Sequence, residues 1–272
     1  IIKHHVQIKE IEEAFNRNEF CLYYQPKLNM QSGKVYGAEA LIRWIHPEKG
    51  LIPPLDFLPY IEGTELEIEV GNWVMEQAFI QTKQWKEQGI NLKISINISS
   101  LHLQGKGFFE QVESTLALYP DIHSEYLQLE ILESSILSDV NSISATIQKL
   151  RDYLGVGIAL DDFGTGYSSL THLRRIPADT IKIDQTFVRD MLTDKSDCAI
   201  VEGIIVLSKT FKREVIAEGV ETKEHGLKLI ELGCTNVQGY GISRPMPADI
   251  FPKWLEEYQP FDEWFTHQPK NL

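Results

Sequence analysis

Hydrophobic positions along this chain switch repeatedly between two spacings: stripes at three- and four-residue steps, and short alternating or unbroken runs. Ile8, Ile11, Ala14 and Phe15 form the first stripe and predict a short amphipathic helix over residues 8–20. Phe20 to Leu28 reads as a strand, Asn29–Gly33 as a turn, and Val35 to Trp44 as a returning strand. So short a connection makes the pair an antiparallel hairpin. A proline-punctuated loop, Pro47–Pro59, leads to a helix with Leu66, Val70, Trp73, Val74, Ala78 and Trp85 on one stripe and Gly89 as its stop.

From there the order is regular. Strand Leu92–Ile98, helix Phe108–Leu118, strand Tyr126–Leu132, helix Val140–Leu154 ending at Gly155, and strand Val156–Leu160 follow in turn. Strand Thr180–Ile183, helix Ser196–Phe211, strand Glu214–Ala217, helix Thr222–Leu232 ending at Gly233, and strand Thr235–Gln238 continue the alternation. Strands alternating with helices become parallel strands joined by right-handed crossovers. About eight strands in roughly 250 residues is the size of a (β/α)8 barrel. An open doubly wound sheet competes with it, but the GxGxxG turn that such a sheet normally carries is missing: Gly164-Thr165-Gly166 lacks the third glycine.

Composition narrows the class. Hydrophobic content of 43% and charged content of 24% over 272 residues suit a globular chain of one large domain. No apolar run approaches the roughly 18 residues of a membrane span. The opening Ile1-Ile2-Lys3-His4-His5 is not a signal peptide, and a first residue other than Met suggests a fragment of something longer. A net charge of -13 argues against a nucleic-acid polymer as partner, though not against a small anion held through metal ions. Cys21, Cys198 and Cys234 form no CxxC pair and read as thiols of a reducing, cytoplasmic compartment.

The candidate chemistry sits at the carboxyl ends of the strands, which share one rim in a barrel. The second strand carries Glu39 and Arg43, the third Asn97, the fourth Glu130 with Glu133, and the fifth Asp161 and Asp162. The sixth carries Lys182 and Asp184, the seventh Glu218 and Glu221, and the eighth Gln238. So many converging acids cannot all ionise at neutral pH unless cations bind among them. All-oxygen ligation suits Mg²⁺ or Mn²⁺, and two ions bridged by one carboxylate suit in-line phosphoryl displacement. Each residue also has a plainer reading, as a solvated strand end, a turn former or a first-turn acid, and Thr222 is most simply a helix N-cap. A barrel glycosidase using paired acids and a one-metal enolising enzyme with Lys182 as base are the alternatives from residues alone.

Glu39-Ala40-Leu41 within GAEALIRW resembles the name-giving motif of the EAL-domain cyclic di-GMP phosphodiesterases. The resemblance runs from about Phe20 to Trp254 through YYQP, SINIS, LEILES, LDDFGTGYSSL, IKID, AEGVET and QGYGISRP. It implies a (β/α)8 TIM-like barrel with an antiparallel first strand, filling residues 20–258 between an N-terminal helix or linker remnant (1–19) and a C-terminal tail (259–272). It implies metal-dependent opening of cyclic di-GMP to linear 5′-pGpG by a two-metal-activated water in bacterial second-messenger signalling. Its alternative is a catalytically silent cyclic di-GMP receptor.

By the same resemblance Glu39, Asn97, Glu130 and Asp161 are ligands of one ion, and Asp161, Asp162 and Glu218 of the second. Mg²⁺ or Mn²⁺ is implied, and Ca²⁺ is expected to bind but inhibit. Catalytic roles fall to Lys182 beside the attacking water and to Glu218, Asp161, Asp162 and Glu221; Gln25, Leu41, Arg43, Asp184, Gln238 and Pro245 are implied near the substrate. Glu133 resembles the anchor of the loop Asp162–Ser169, which couples the site to a homodimer face. A sensory or GGDEF-type domain is implied upstream, with a possible membrane anchor on the full-length protein. Departures from the family pattern are Leu132 for a usual Thr, His225 for a usual Gln and Gly241 for a larger apolar residue.

Overall fold

The computed structural model describes residues 2–136, 139–165 and 170–267. Among the described residues there are ten strands: β1 Phe20–Asn29, β2 Lys34–His46, β3 Gly50–Ile52, β4 Lys93–Asn97, β5 Leu127–Leu132, β6 Gly157–Phe163, β7 Thr180–Ile183, β8 Glu214–Ala217, β9 Asn236–Val237 and β10 Met246–Pro247. Eight of them close a ring in the order β1-β9-β8-β7-β6-β5-β4-β2, which β1 completes by pairing with β2. β1 runs antiparallel to both of its ring neighbours, and every other pair in the ring is parallel. The fold is thus a TIM-like barrel with a reversed first strand, built by a hairpin too short for a crossover helix.

Isoleucine and leucine explain why the parallel strands form where they do. Ile94, Ile96, Leu129, Ile131, Ile158, Leu160, Ile181 and Ile183 are buried against the outer helices. Their alternate neighbours face the barrel interior, as the two-residue period of a strand demands. Helix Phe108–Leu118 falls where its stripe predicts, and the stripe of helix Glu65–Glu87 packs Val70, Val74, Ala78 and Trp85 on the barrel.

Several elements depart from the sequence pattern. The first helix spans Ile2–Asn16, the loop Pro47–Pro59 contains β3 and a 3-10 turn at Pro54–Asp56, and the short helix Leu58–Ile61 begins at its end. β3 and β10 are edge additions of three and two residues, too short to show a period. Helix Val140–Lys149 continues as a π-helical segment, Leu150–Leu154, up to Gly155. β6 does not stop at Leu160 but runs through Asp161 and Asp162 to Phe163. A charged pair reads as a turn in sequence, whereas in the barrel both carboxylates fit within the strand end.

The flanking segments pack on the barrel. Ile11 and Ala14 of the first helix are buried in the core. After Tyr258, where the sequence suggests a tail, helix Glu263–Thr266 buries Trp264 completely. The Trp264 indole lies on Gly226, leaving no room for a Cβ there, and its Nε1 donates to the Lys223 carbonyl at 3.0 Å. Phe265 covers Gly33, the turn of the β1–β2 hairpin, whose φ of +66° and contact with that ring both favour glycine. Residues 268–272 of the expected tail lie outside the described residues.

Candidate active site

Consecutive strand residues point to opposite faces, so Asp161 and Asp162 could not share a mouth in a regular strand. Asp162 adopts φ 53°, and the β6–β7 register shifts between Leu160 and Phe163. Asp162 N donates to Asp161 Oδ1 at 3.0 Å, which steadies the bend. A non-glycine residue in this conformation is strained, and such strain gathers at functional sites.

The bend brings two acid triads together. Glu39, Glu130 and Asp161 offer oxygens within 4.8 Å of one another, and so do Asp161, Asp162 and Glu218. Lys182, fully buried, stands among them: Nζ lies 2.8 Å from Glu218, 3.0 Å from Asp161 and 3.5 Å from Glu39, and also meets Glu130 Oε2. Burial opposes its charge, but Asp161, Glu130, Glu218 and Glu39 together hold Lys182 protonated well above the ordinary lysine range. One ammonium cannot neutralise four carboxylates. Burial and the surplus negative charge push Glu39 up and Glu218 well up, and burial with Asp161 and Asp184 pushes Asp162 up to about 7. Burial would raise Glu130 too, yet Lys182 and Lys27 carry it down to about 2.

The neighbouring side chains form an ordered rim. Asn97 Nδ2 donates to Glu39 Oε1 at 2.7 Å, and Gln238 Nε2 donates to Glu39 Oε2 at 2.7 Å and Gln25 Oε1 at 3.0 Å. Gln25 Nε2 in turn donates to the Ser243 carbonyl at 3.1 Å. Leu41 and Arg43 stand two and four residues beyond Glu39 on β2, with the Arg43 guanidinium 5.5 Å from the Tyr23 ring centre. Asp184 caps helix Gln185–Asp190 by accepting from Thr186 N at 2.9 Å. Glu133 Oε2 accepts from Gly164 N at 3.0 Å, holding the start of the loop whose residues 166–169 lie outside the described residues.

Other sequence candidates stand apart. Glu221 is exposed, and among the described residues no hydrogen bond or ion pair ties it to the triads. Pro245 is half-buried near β10, and no polar contact links it to the carboxylates. Gly241 fits where a Cβ would strike the Glu221 carbonyl at 2.6 Å, so the loop after β9 can lie against the loop after β8. His225 completes a capping box with Thr222 and reaches the Arg189 carbonyl at 3.0 Å. It is therefore a joint between two helices. A cleft of about 890 Å³ lies outside the barrel between Tyr24, Trp85 and Lys253, and none of the triad acids lines it.

Lys27, Ser95, Gln128 and Thr180 were not singled out by sequence. They are buried one interior step below Gln25, Asn97, Glu130 and Lys182, two residues away on each strand. The signal was available in that two-residue offset, but an isolated Lys or Gln in a strand ordinarily reads as solvent-facing.

The family comparison agrees with this arrangement, since the EAL domain profile matches residues 8–245. The chain belongs to the EAL domain family. This EAL domain is 39% identical over 243 residues to the bifunctional diguanylate cyclase/cyclic di-GMP phosphodiesterase MucR of Pseudomonas aeruginosa, covering 89% of this chain and 35% of MucR. It is 37% identical over 250 residues to the cyclic di-GMP phosphodiesterase PdeR of Escherichia coli K12, covering 91% of this chain and 37% of PdeR. The EAL domain thus spans about a third of the length of these relatives. Among solved structures, it is similar to a PaMucR phosphodiesterase in complex with c-di-GMP, with a TM-score of 0.85 and 39% identity, covering 90% of this chain and 99% of that one.

Proposed function

We propose that this EAL domain is a metal-dependent phosphodiesterase that opens cyclic di-GMP to linear 5′-pGpG. The observation that carries the reading is the pair of acid triads sharing Asp161, with Lys182 set among them. Their donor set fits hard divalent cations: all oxygen, more acids than the protein's own cations neutralise, and raised carboxyls that a cation would relieve. Glu39, Asn97, Glu130 and Asp161 would hold one Mg²⁺ or Mn²⁺, and Asp161, Asp162 and Glu218 the other. Bound there, the ions supply water activation and charge neutralisation on the phosphoryl group.

The chain's own residues do the rest. Arg43, above Glu39 on β2, offers a planar fork to a phosphate oxygen pair. Gln25, Leu41, Asp184, Gln238 and Pro245 shape the mouth around the dinucleotide, and Glu133 holds the loop beside Asp162. Lys182 orients the attacking water and meets the negative charge carried by the phosphoryl oxygens, while the P–O3′ bond opposite the attack breaks and the 3′-oxygen leaves as a hydroxyl with one of the water's protons. Glu221, exposed beside the mouth, acts from outside the triads. Barrel residues 20–258 form the catalytic unit in this reading.

Two relatives about two and a half times as long, one of them bifunctional, support further domains in the whole protein, a GGDEF-type or sensory domain upstream among them. A homodimer through the face near Asp162–Ser169 and a cytoplasmic site of action complete the proposal. Among the described residues no helix is long and apolar enough to cross a membrane.

The test is hydrolysis of cyclic di-GMP followed by chromatography of the product. Linear pGpG should appear with Mg²⁺ or Mn²⁺, vanish with chelator, and be suppressed by Ca²⁺, which takes more ligands at longer distances. Tight binding without turnover under any metal would leave the receptor reading; chelator-resistant turnover would remove the metals from the mechanism.

A further inference from the structure

Lys27 is a second buried cation under the acid triads. It is 1% exposed, and its three ammonium hydrogens meet three acceptors from two other strands. These are Ser95 Oγ at 2.6 Å, Gln128 Oε1 at 3.3 Å and Glu130 Oε1. The direction of every bond in this floor is determined. Ser95 Oγ donates to Gln128 Oε1 at 2.9 Å, and Gln128 Nε2 donates to Thr180 Oγ1 at 3.0 Å. With its donors saturated and its partners themselves held, the ammonium has one orientation available.

The two lysines divide Glu130 between them. Lys182 touches Oε2 and three further carboxylates; Lys27 touches Oε1 and no other acid among the described residues. We propose that Lys27 is a positioning residue that tethers Glu130 Oε1 to the barrel floor, so that Glu130 presents one oxygen to a divalent cation at the mouth, and that its charge limits how tightly that cation is held. The inference rests on the metal reading of the triads. A carboxylate free at both oxygens can close on an ion in bidentate fashion, which spends coordination positions that substrate and water require. A cation one residue's length below the ion also opposes its binding directly.

The consequence has a sign that a merely structural lysine does not share. Lys27→Met keeps an unbranched side chain in the buried position while releasing Glu130 Oε1 and removing one positive charge. Mn²⁺ should then bind about tenfold more tightly, because the site is more negative and Glu130 can use both oxygens. The Mg²⁺-supported kcat should fall about tenfold, with KM for cyclic di-GMP unchanged. Lys27→Gln, which keeps a donor without the charge, should show the same tightening with a smaller loss of kcat.

Mn²⁺ affinity is read without substrate, by electron paramagnetic resonance of the free ion, with circular dichroism in chelator as the check on folding. Tighter Mn²⁺ binding with slower turnover in either folded variant supports the inference. Equal or weaker Mn²⁺ binding in both overturns it and leaves Lys27 as a folding cation. Failure of the unsubstituted protein to bind Mn²⁺ at all overturns the metal reading itself, which separates the two.

Discussion

The two acid triads share Asp161 but differ in shelter and in countercharge. Glu39, Glu130 and Asp161 are all buried, and the innermost carboxylate, Glu130, meets an ammonium on each oxygen. Asp162 and Glu218 on the other side are half-buried. Lys182 reaches Glu218, while among the described residues no cation pairs with Asp162. The inner triad is therefore shaped by the protein's own cations before any ligand arrives. The outer triad is shaped by the bend at Asp162 and is short of positive charge, so it is the half that, with Glu39, answers most to protons and added cations.

The largest effect expected is at Glu39, the inner acid that no ammonium approaches closer than 3.5 Å. Glu39→Ala should abolish turnover, a loss of about 10³-fold or more on the scale of removing a ligand or transition-state donor. Its metal-free melting temperature should hold or rise, because a buried acid with a raised pKa has been removed. Near-normal turnover in this variant would break the assignment of the inner triad to metal.

Lys182→Ala comes next and strikes both halves at once. Single-turnover hydrolysis should slow by roughly 10²-fold or more, while calorimetric affinity for cyclic di-GMP stays nearly constant. Metal-free stability should drop, since four carboxylates lose their shared partner, and added Mn²⁺ should restore much of it. Lost binding with intact chemistry would make Lys182 a substrate anchor instead.

The third effect is on pH and is carried mainly by the outer half, with Glu39 the one inner acid that joins it. Asp162, pushed up to about 7, and the raised Glu39 and Glu218 bind protons more tightly folded than unfolded. The stability they contribute is full below the ordinary carboxylate range near 4 and drains as pH rises, for Asp162 through about 7. Glu130, held down to about 2, works in the opposite sense: its share is present above the ordinary range and is lost as pH falls toward 2. In chelator the melting temperature should therefore fall by several degrees between about pH 5 and 8, and Mn²⁺ should flatten that slope. A flat metal-free profile would equalise the two halves.

The smallest effect isolates strain from charge. Asp162→Gly and Asp162→Ala both delete the carboxylate, but only glycine accepts φ 53° without penalty. Urea midpoints of the metal-free variants should favour glycine by about 1 kcal/mol. Equal midpoints would mean that the bend at Asp162 carries no strain.

Where apolar runs end in an acid, sequence and structure coincide: β7 and β8 fall on their predicted residues, and Glu130 and Asp161 arrive at one rim. Pattern reading weakens where a residue's environment comes from other strands. Lys27 looks like any strand lysine until Ser95, Gln128 and Glu130 close around it from β4 and β5. Asp162 faces the mouth only because its own backbone departs from the strand, a departure that no two-residue period contains. Glu221 shows the opposite: a strand-end acid by sequence position that the loop after β8 leaves in solvent.

The contact of Phe265 with Gly33 joins the last described helix to the first hairpin turn, and Trp264 locks that same helix onto Gly226. The hairpin turn follows β1, whose short pairing with β9 runs through Leu28 with Val237 and Asn29 with Asn236, and helix Lys223–Leu232 precedes β9. One of the two rings, Phe265, comes from more than two hundred positions along the chain from the turn that it covers. One four-residue helix therefore clasps both the hairpin turn, through Phe265, and helix Lys223–Leu232, through Trp264.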